Sequence, residues 1–230
     1  MPEERGRARR ELRDLVAQAA GALKVFPLPG VVVFPGTPTP FHIFEPRYRE
    51  LIGDALEGDR TLCVATLEDG GLGEHAPVHP IAGAGVIEAD ERLPDGRYHI
   101  LFRCLARVRL VTELESGRSY REFSGELLQD RYPRGGPAAL APDVEALAHL
   151  AYDLCRVLPG DSGAQELAEA VAHMRSPARI ADLLAAAVVN DAQKRIEILE
   201  TLDVQRRMGL VAAELASVLL TLSKGKTPSA

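Results

Sequence analysis

Few residues of this chain are spaced for chemistry. His75 and His79 are four apart, but Pro77 lies between them and destroys the helical register that would bring both rings to one metal. His42, His99, His149 and His173 show no ligand spacing. Cys63, Cys104 and Cys155 are far apart and form no C-x-x-C, so neither zinc nor a redox pair is indicated, and buried thiols in a reducing compartment are expected. No G-x-x-x-x-G-K-[ST] phosphate loop is present, and neither Gly225-Lys226-Thr227 nor Gly160-Asp161-Ser162-Gly163 supplies its spacing. No carboxylate pair stands out as an acid/base couple. The expectation is therefore a non-enzyme: no catalytic residue, no cofactor and no metal. One group remains, the aromatic rings of Phe34, Phe41, Phe44 and Tyr48. Such rings suit a core, or the wall of an apolar groove, and these four are the candidate groove residues.

The elements that must position them change period along the chain. Residues 7–22 read as an amphipathic helix, with Leu12, Leu15, Val16 and Ala19 on one face, within an extension over 1–23. Residues 24–134 are β-rich. Val25 to Gly36 mixes β-formers with Pro27, Pro29 and Pro35, which confines it to short edge or bulged strands, while Gly30 and Gly36 allow sharp turns. A helix starts at Glu45-Pro46-Arg47-Tyr48 and ends at Gly58. Strands follow at 60–68, 79–92 and 97–112, the last two flanking Pro94-Asp95-Gly96, then at 119–131. Many short strands with one helix predict a small closed or half-closed β-barrel. Gly135-Gly136-Pro137 breaks the pattern, and 135–222 is a helical bundle. Its third helix starts at Ser176-Pro177, and Asp203 can cap the last. In that last helix Val204, Met208, Val211, Leu215, Val218 and Leu222 form a heptad seam. The helices at 7–22 and 204–222 are the two places where the chain could self-associate. Residues 223–230 read as a disordered tail.

Composition bounds the function. Hydrophobic residues are 46% and charged residues 26%, ordinary for a globular protein, and with aromatics at 5% the core must be mainly aliphatic. The net charge of −6 argues against nucleic acid as a partner. No apolar run is long enough to span a membrane and no signal-peptide core follows the N-terminal arginines, so a cytoplasmic location is expected.

Two stretches carry a family resemblance. Phe26-Pro27-Leu28-Pro29-Gly30-Val31-Val32-Val33-Phe34-Pro35-Gly36, followed by Phe44-Glu45-Pro46-Arg47-Tyr48, resembles the opening of Lon protease N-terminal (substrate-binding) domains. Ala181-Asp182-Leu183-Leu184-Ala185, then Lys194 to Val204 with Leu199-Glu200-Thr201-Leu202-Asp203-Val204, then Arg206-Arg207-Met208, resembles the helical half of the same family. Cys104 stands where the family usually has glycine, which puts a bulge there in question. The resemblance implies an α+β fold in which a PUA-like β-barrel and a helical bundle form one domain over 24–222. It implies a stand-alone bacterial member, without ATPase or protease parts, that binds unfolded or misfolded polypeptides or acts as an adaptor for a protease or chaperone. An RNA-binding PUA-like protein and a scaffold are the alternatives.

Overall fold

Proline and glycine set the first turns of the chain. The computed structural model describes residues 13–69, 71, 73, 75–158 and 163–225, which belong to two compact units, Met1–Gln129 and Asp130–Ala230. The first unit contains α1 (13–19), β1 (Leu23–Pro29), β2 (Pro38–Ile43), α2 (Pro46–Glu57), β3 (Thr61–Leu67), β4 (Ile81–Arg92), β5 (Tyr98–Leu114) and β6 (Arg121–Leu127). The second contains a 3₁₀ turn (Gly136–Leu140), α3 (Ala141–Val157), α4 (Ala164–His173), α5 (Pro177–Val188), α6 (Ala192–Glu200) and α7 (Val204–Gly225). Strands first and helices after is the α+β order expected from the change of period.

The strand pairings run β5–β4–β3–β1–β6, and β6 returns to β5, while β2 adds to the first half of β5. A single long β5 serves three neighbours because it bends. Leu105 and Val111 are extra residues in β5, and Glu88 is extra in β4, and such bulges bend and twist a strand. The bulge at Leu105 lies beside Cys104, so cysteine there does not prevent it. The close backbone approach is made instead by Gly85 on the partner strand, where a Cβ would collide with the Arg103 carbonyl oxygen.

The prolines sit where a ladder is missing. β2 pairs with β5 alone, so Pro38 and Pro40 fit its outer edge. β1 meets β6 only over Leu23–Val25, and beyond that β3 is its one strand partner among the described residues, which leave an open edge at Pro27 and Pro29. The β segment expected to continue to Gly36 stops at Pro29. Gly30 takes φ +66°, and Val32, Val33 and Phe34 are buried outside any strand. The chain then turns at Phe34-Pro35-Gly36-Thr37: the Thr37 N–H donates to the Phe34 carbonyl at 3.1 Å and Gly36 takes φ +96°. That is the glycine position of a type II turn.

β3 separates two apolar clusters by the two-residue period of a strand. Leu62 and Val64 join Phe26, Ile43, Leu51, Ile52, Ile100 and Phe102, whereas Cys63 and Ala65 join Leu23, Val25, Val86, Val108 and Phe123. Val16 of α1 is fully buried in the second cluster and Ala19 packs beside it. The segment before residue 24, expected as a separate extension, is thus part of this unit's core over its described residues, because its apolar stripe is covered by its own chain. The remainder of the expected 7–22 helix, up to residue 12, lies outside the described residues.

In the second unit Val204, Met208, Val211 and Leu215 are buried, with Val218 and Leu222 half-buried, so the first four seam positions pack inside the bundle, chiefly against α3 and α5. Asp203 caps α7 by accepting the Arg206 N–H at 2.9 Å. Ser176 occupies the cap position of α5 with Pro177 after it, but its side chain makes no cap hydrogen bond. The unit begins at Asp130, before the Gly-Gly-Pro break, because the chain already docks there: the Arg131 N–H donates to the Leu202 carbonyl at 2.9 Å and the Val204 N–H to the Arg131 carbonyl at 2.9 Å. α7 runs on to Gly225, past the expected end at 222; residues 226–230, the rest of the expected tail, lie outside the described residues. Among the described residues no helix is long and apolar enough to cross a membrane.

Candidate functional site

The aromatic residues picked from the sequence go to three different places. β2 alternates, so Phe41 and Ile43 point inward while His42 and, continuing the same parity, Phe44 point out; Phe44 is 61% exposed. Tyr48, on the first turn of α2, is buried and stacks edge-on against Phe26 at 4.6 Å between ring centres, and Phe26 meets Phe41 in the same way at 5.5 Å. Phe34 has no exposed surface at all and belongs to neither contact. A fully buried ring cannot touch a ligand, so of the four candidates Phe34 is a core residue. Phe44 presents its ring to solvent, and Tyr48 borders a cavity.

That cavity is an open groove of about 1300 Å³ in the first unit. One wall is the start of α2, with Glu45, Pro46, Arg47, Tyr48 and Glu50. A second wall, bonded to α2, is the connection from β5 to β6, Glu113 to Arg121. Pro27 lies on the open edge of β1, and Gly71, Gly73 and His75 close one side. Pro46 at the first helical position places this wall, because its fixed φ starts the helix and its missing N–H costs nothing there. The Tyr48 hydroxyl donates to the Pro27 carbonyl at 3.4 Å, tying α2 to the β1 edge.

The groove is not the apolar trough the aromatic residues suggested. Its arginines are held by carboxylates. Arg121 binds Glu113 through two nitrogens, both at 2.7 Å, and also donates to the Ala76 carbonyl at 2.7 Å. Arg118 pairs with Asp54 at 2.9 Å, and Arg47 pairs with Glu45 at 2.9 Å while its guanidinium lies over the Tyr48 ring at 4.5 Å. The hydroxyls are engaged too: Ser119 donates to Glu50 at 2.6 Å and Tyr120 to Asp54 at 2.8 Å. Hydrogen bonding by Arg121 holds the Glu113 carboxyl below the usual glutamate range against a smaller opposing effect of burial. Burial, followed by the bond to Asp54, pushes the Tyr120 hydroxyl up, and burial likewise raises Tyr48. His75 faces Glu113 at 3.6 Å. The set offers ion pairs and hydrogen bonds for holding a ligand; the Ser119 and Tyr120 hydroxyls are bound to carboxylates and the Tyr48 hydroxyl to a backbone carbonyl.

Sequence spacing missed a second grouping. Strand pairing puts His42 directly opposite His99, with Nδ1 of His42 2.8 Å from Nε2 of His99. Nη1 of Arg97 lies 3.3 Å from Nε2 of His42, on the other side of the ring. The two residues are 57 apart, and only the register of two strands brings them together. The groove's β5–β6 wall was equally hidden, because Ser116-Gly117-Arg118-Ser119 has no period. The one signal that pointed to the groove was Glu45-Pro46-Arg47-Tyr48.

The order of a β-sheet unit and then a helical unit is shared with solved Lon N-terminal domains. Residues 22–217 match the family described as the ATP-dependent protease La (LON) substrate-binding domain, and the chain belongs to that family. It is 29% identical over 196 residues to Lon protease 2 of Myxococcus xanthus, covering 82% of this chain and 23% of that protein. It is 28% identical over 195 residues to Lon protease 1 of Thermus thermophilus, covering 83% and 24%. The chain thus spans about a quarter of the length of these curated relatives. Its fold resembles the N-terminal domain of the Mycobacterium avium complex Lon protease, with a TM-score of 0.65 at 19% identity over 85% of this chain and 98% of that one. It also resembles a Lon N-terminal domain protein from Xanthomonas campestris, with a TM-score of 0.59 at 18% identity over 84% and 97%.

Proposed function

We propose that these 230 residues recognise polypeptide segments without cutting them, as a substrate-binding or adaptor element in protein quality control, and that the groove beside α2 is where the segment lies. The observation that carries this is the groove itself, built on Glu45-Pro46-Arg47-Tyr48 in a chain of the Lon substrate-binding family. At about 1300 Å³ it exceeds the roughly 300–1,000 Å³ of small-molecule sites and suits an extended chain. Its proline-bearing strand edge lacks donors at Pro27 and Pro29, so a bound segment is held by side chains and carbonyls and does not add to the sheet as a strand. Phe44, exposed just before Glu45, is not part of the groove lining. Ordering a flexible chain is costly, so affinity is about micromolar or weaker and independent of ATP. The test is a titration of fluorescently labelled unfolded protein into the purified chain and into Ser116→Trp, which fills the groove from an exposed loop position. Binding that weakens about tenfold or more in S116W supports the reading. Equal binding by both moves the site elsewhere, and no binding by either removes the function.

A further inference from the structure

The groove's charges do not cancel once their partners are counted. Arg47, Arg118 and Arg121 are each neutralised at contact distance by Glu45, Asp54 and Glu113. Two further carboxylates line the same space. Glu50 accepts a hydrogen bond from a neutral hydroxyl, Ser119, and has no ion-pair partner among the described residues. Glu115, exposed in the β5–β6 connection, has none among them either. The β1 edge adds to this imbalance. Pro27 and Pro29 present carbonyls without any N–H, and the carbonyl of Pro27 lines the groove with only a long bond from Tyr48. Among the described residues, the charged side chains of the groove left without an ion-pair partner are therefore the Glu50 and Glu115 carboxylates. What they lack is a donor-rich cation.

We propose that the groove selects extended polypeptide segments that carry lysine or arginine, the basic side chains being drawn to Glu50 and Glu115. This rests on the polypeptide-binding reading and names its substrate class. A lysine or arginine brings three or five N–H donors, a positive charge, and an aliphatic stem that can lie along Pro46 and the rim of Tyr48. An acidic segment meets two unpaired carboxylates and carbonyl oxygens, and like-charge juxtaposition opposes it. Selectivity of this origin is screened by salt, because Glu115 is exposed and Glu50 is at the surface.

The experiment uses three labelled peptides of one apolar sequence that differ at two positions, both Lys, both Gln or both Glu. Each is titrated by fluorescence anisotropy into the full chain, into E50Q/E115Q, into S116W, and into D153N/E145Q, which removes two exposed charges from α3. The Lys peptide is expected to bind about tenfold tighter than the Glu peptide at low salt, a difference of one decade in Kd. That ratio should shrink to about twofold or less in E50Q/E115Q, persist in D153N/E145Q, and fall as salt rises. Equal affinity for all three peptides, lost together in S116W, overturns the basic selectivity while the groove reading stands. A ratio that drops as much in D153N/E145Q overturns it as well, since net charge and not the groove would then be responsible. No binding of any peptide overturns both.

Discussion

Arginine and carboxylate meet in both units of this protein, with opposite consequences. In the helical unit Arg207 is wholly buried: Nη2 lies 2.7 Å from Asp130, Nη1 donates to the Thr201 carbonyl at 3.3 Å, and Nε faces the buried Asp182 at 3.5 Å. In the β unit Arg47, Arg118 and Arg121 pair with carboxylates around an open groove. Burial decides which role a pair plays. Out of water, a charge stripped of its partner is a large uncompensated cost; at the surface, water and salt replace the partner. The family phrase containing Arg206-Arg207-Met208 thus marks a structural clamp, whereas Glu45 and Arg47, beside the buried Tyr48, lie at a surface that can be altered without unfolding the chain.

The largest effect should follow from Arg207→Leu, which leaves Asp182 buried and without its guanidinium. A loss of about 3–5 kcal/mol in chemical unfolding is expected, and R207L/D182L should recover much of it. A loss below about 1 kcal/mol would mean that the bundle does not depend on this ion. Next is Gly85→Ala. Its methyl has no space beside the Arg103 carbonyl, so about 1–3 kcal/mol should be lost from the β unit. Asp203→Ala removes the α7 cap and should cost about 1 kcal/mol. Arg47→Ala should cost less than about 1 kcal/mol, since its pair with Glu45 is partly exposed. The smallest effect concerns Glu113. Its pKa is depressed in the folded state, so the pair with Arg121 stabilises above the ordinary glutamate value near 4.5 and is lost as pH falls through the lower folded value. A carboxyl titration followed by NMR should place its midpoint below 4.5, and in Arg121→Gln the midpoint should move back up.

Much of this division was legible before any coordinates. Pro46 and Gly58 bound α2, Asp203 caps α7, and the hairpin turns at Pro94-Asp95-Gly96, where Gly96 takes φ +82°. Each of these is local chemistry, which a sequence states directly. The two-residue period of β2 separates exposed Phe44 from inward Phe41, a division that grouping the four aromatic residues together did not make. Phe34 was harder to place, since a turn, not a strand, buries it. The groove's second wall was not legible, because the β5–β6 connection gains its meaning from β6 pairing with both β1 and β5. The same holds for His42 beside His99, and for the bulge at Leu105, which the sequence placed in question at Cys104. Local rules find elements; contacts across many residues decide which side chains share a site.

The measurement that bears most directly on the central claim is the affinity of an unfolded, labelled polypeptide for the purified chain compared with S116W, in the absence of ATP. The expected result is saturable binding in the micromolar range or weaker by the former, and at least about tenfold weaker binding by a variant of unchanged stability. Identical binding curves, or no binding to the unaltered chain, would contradict it.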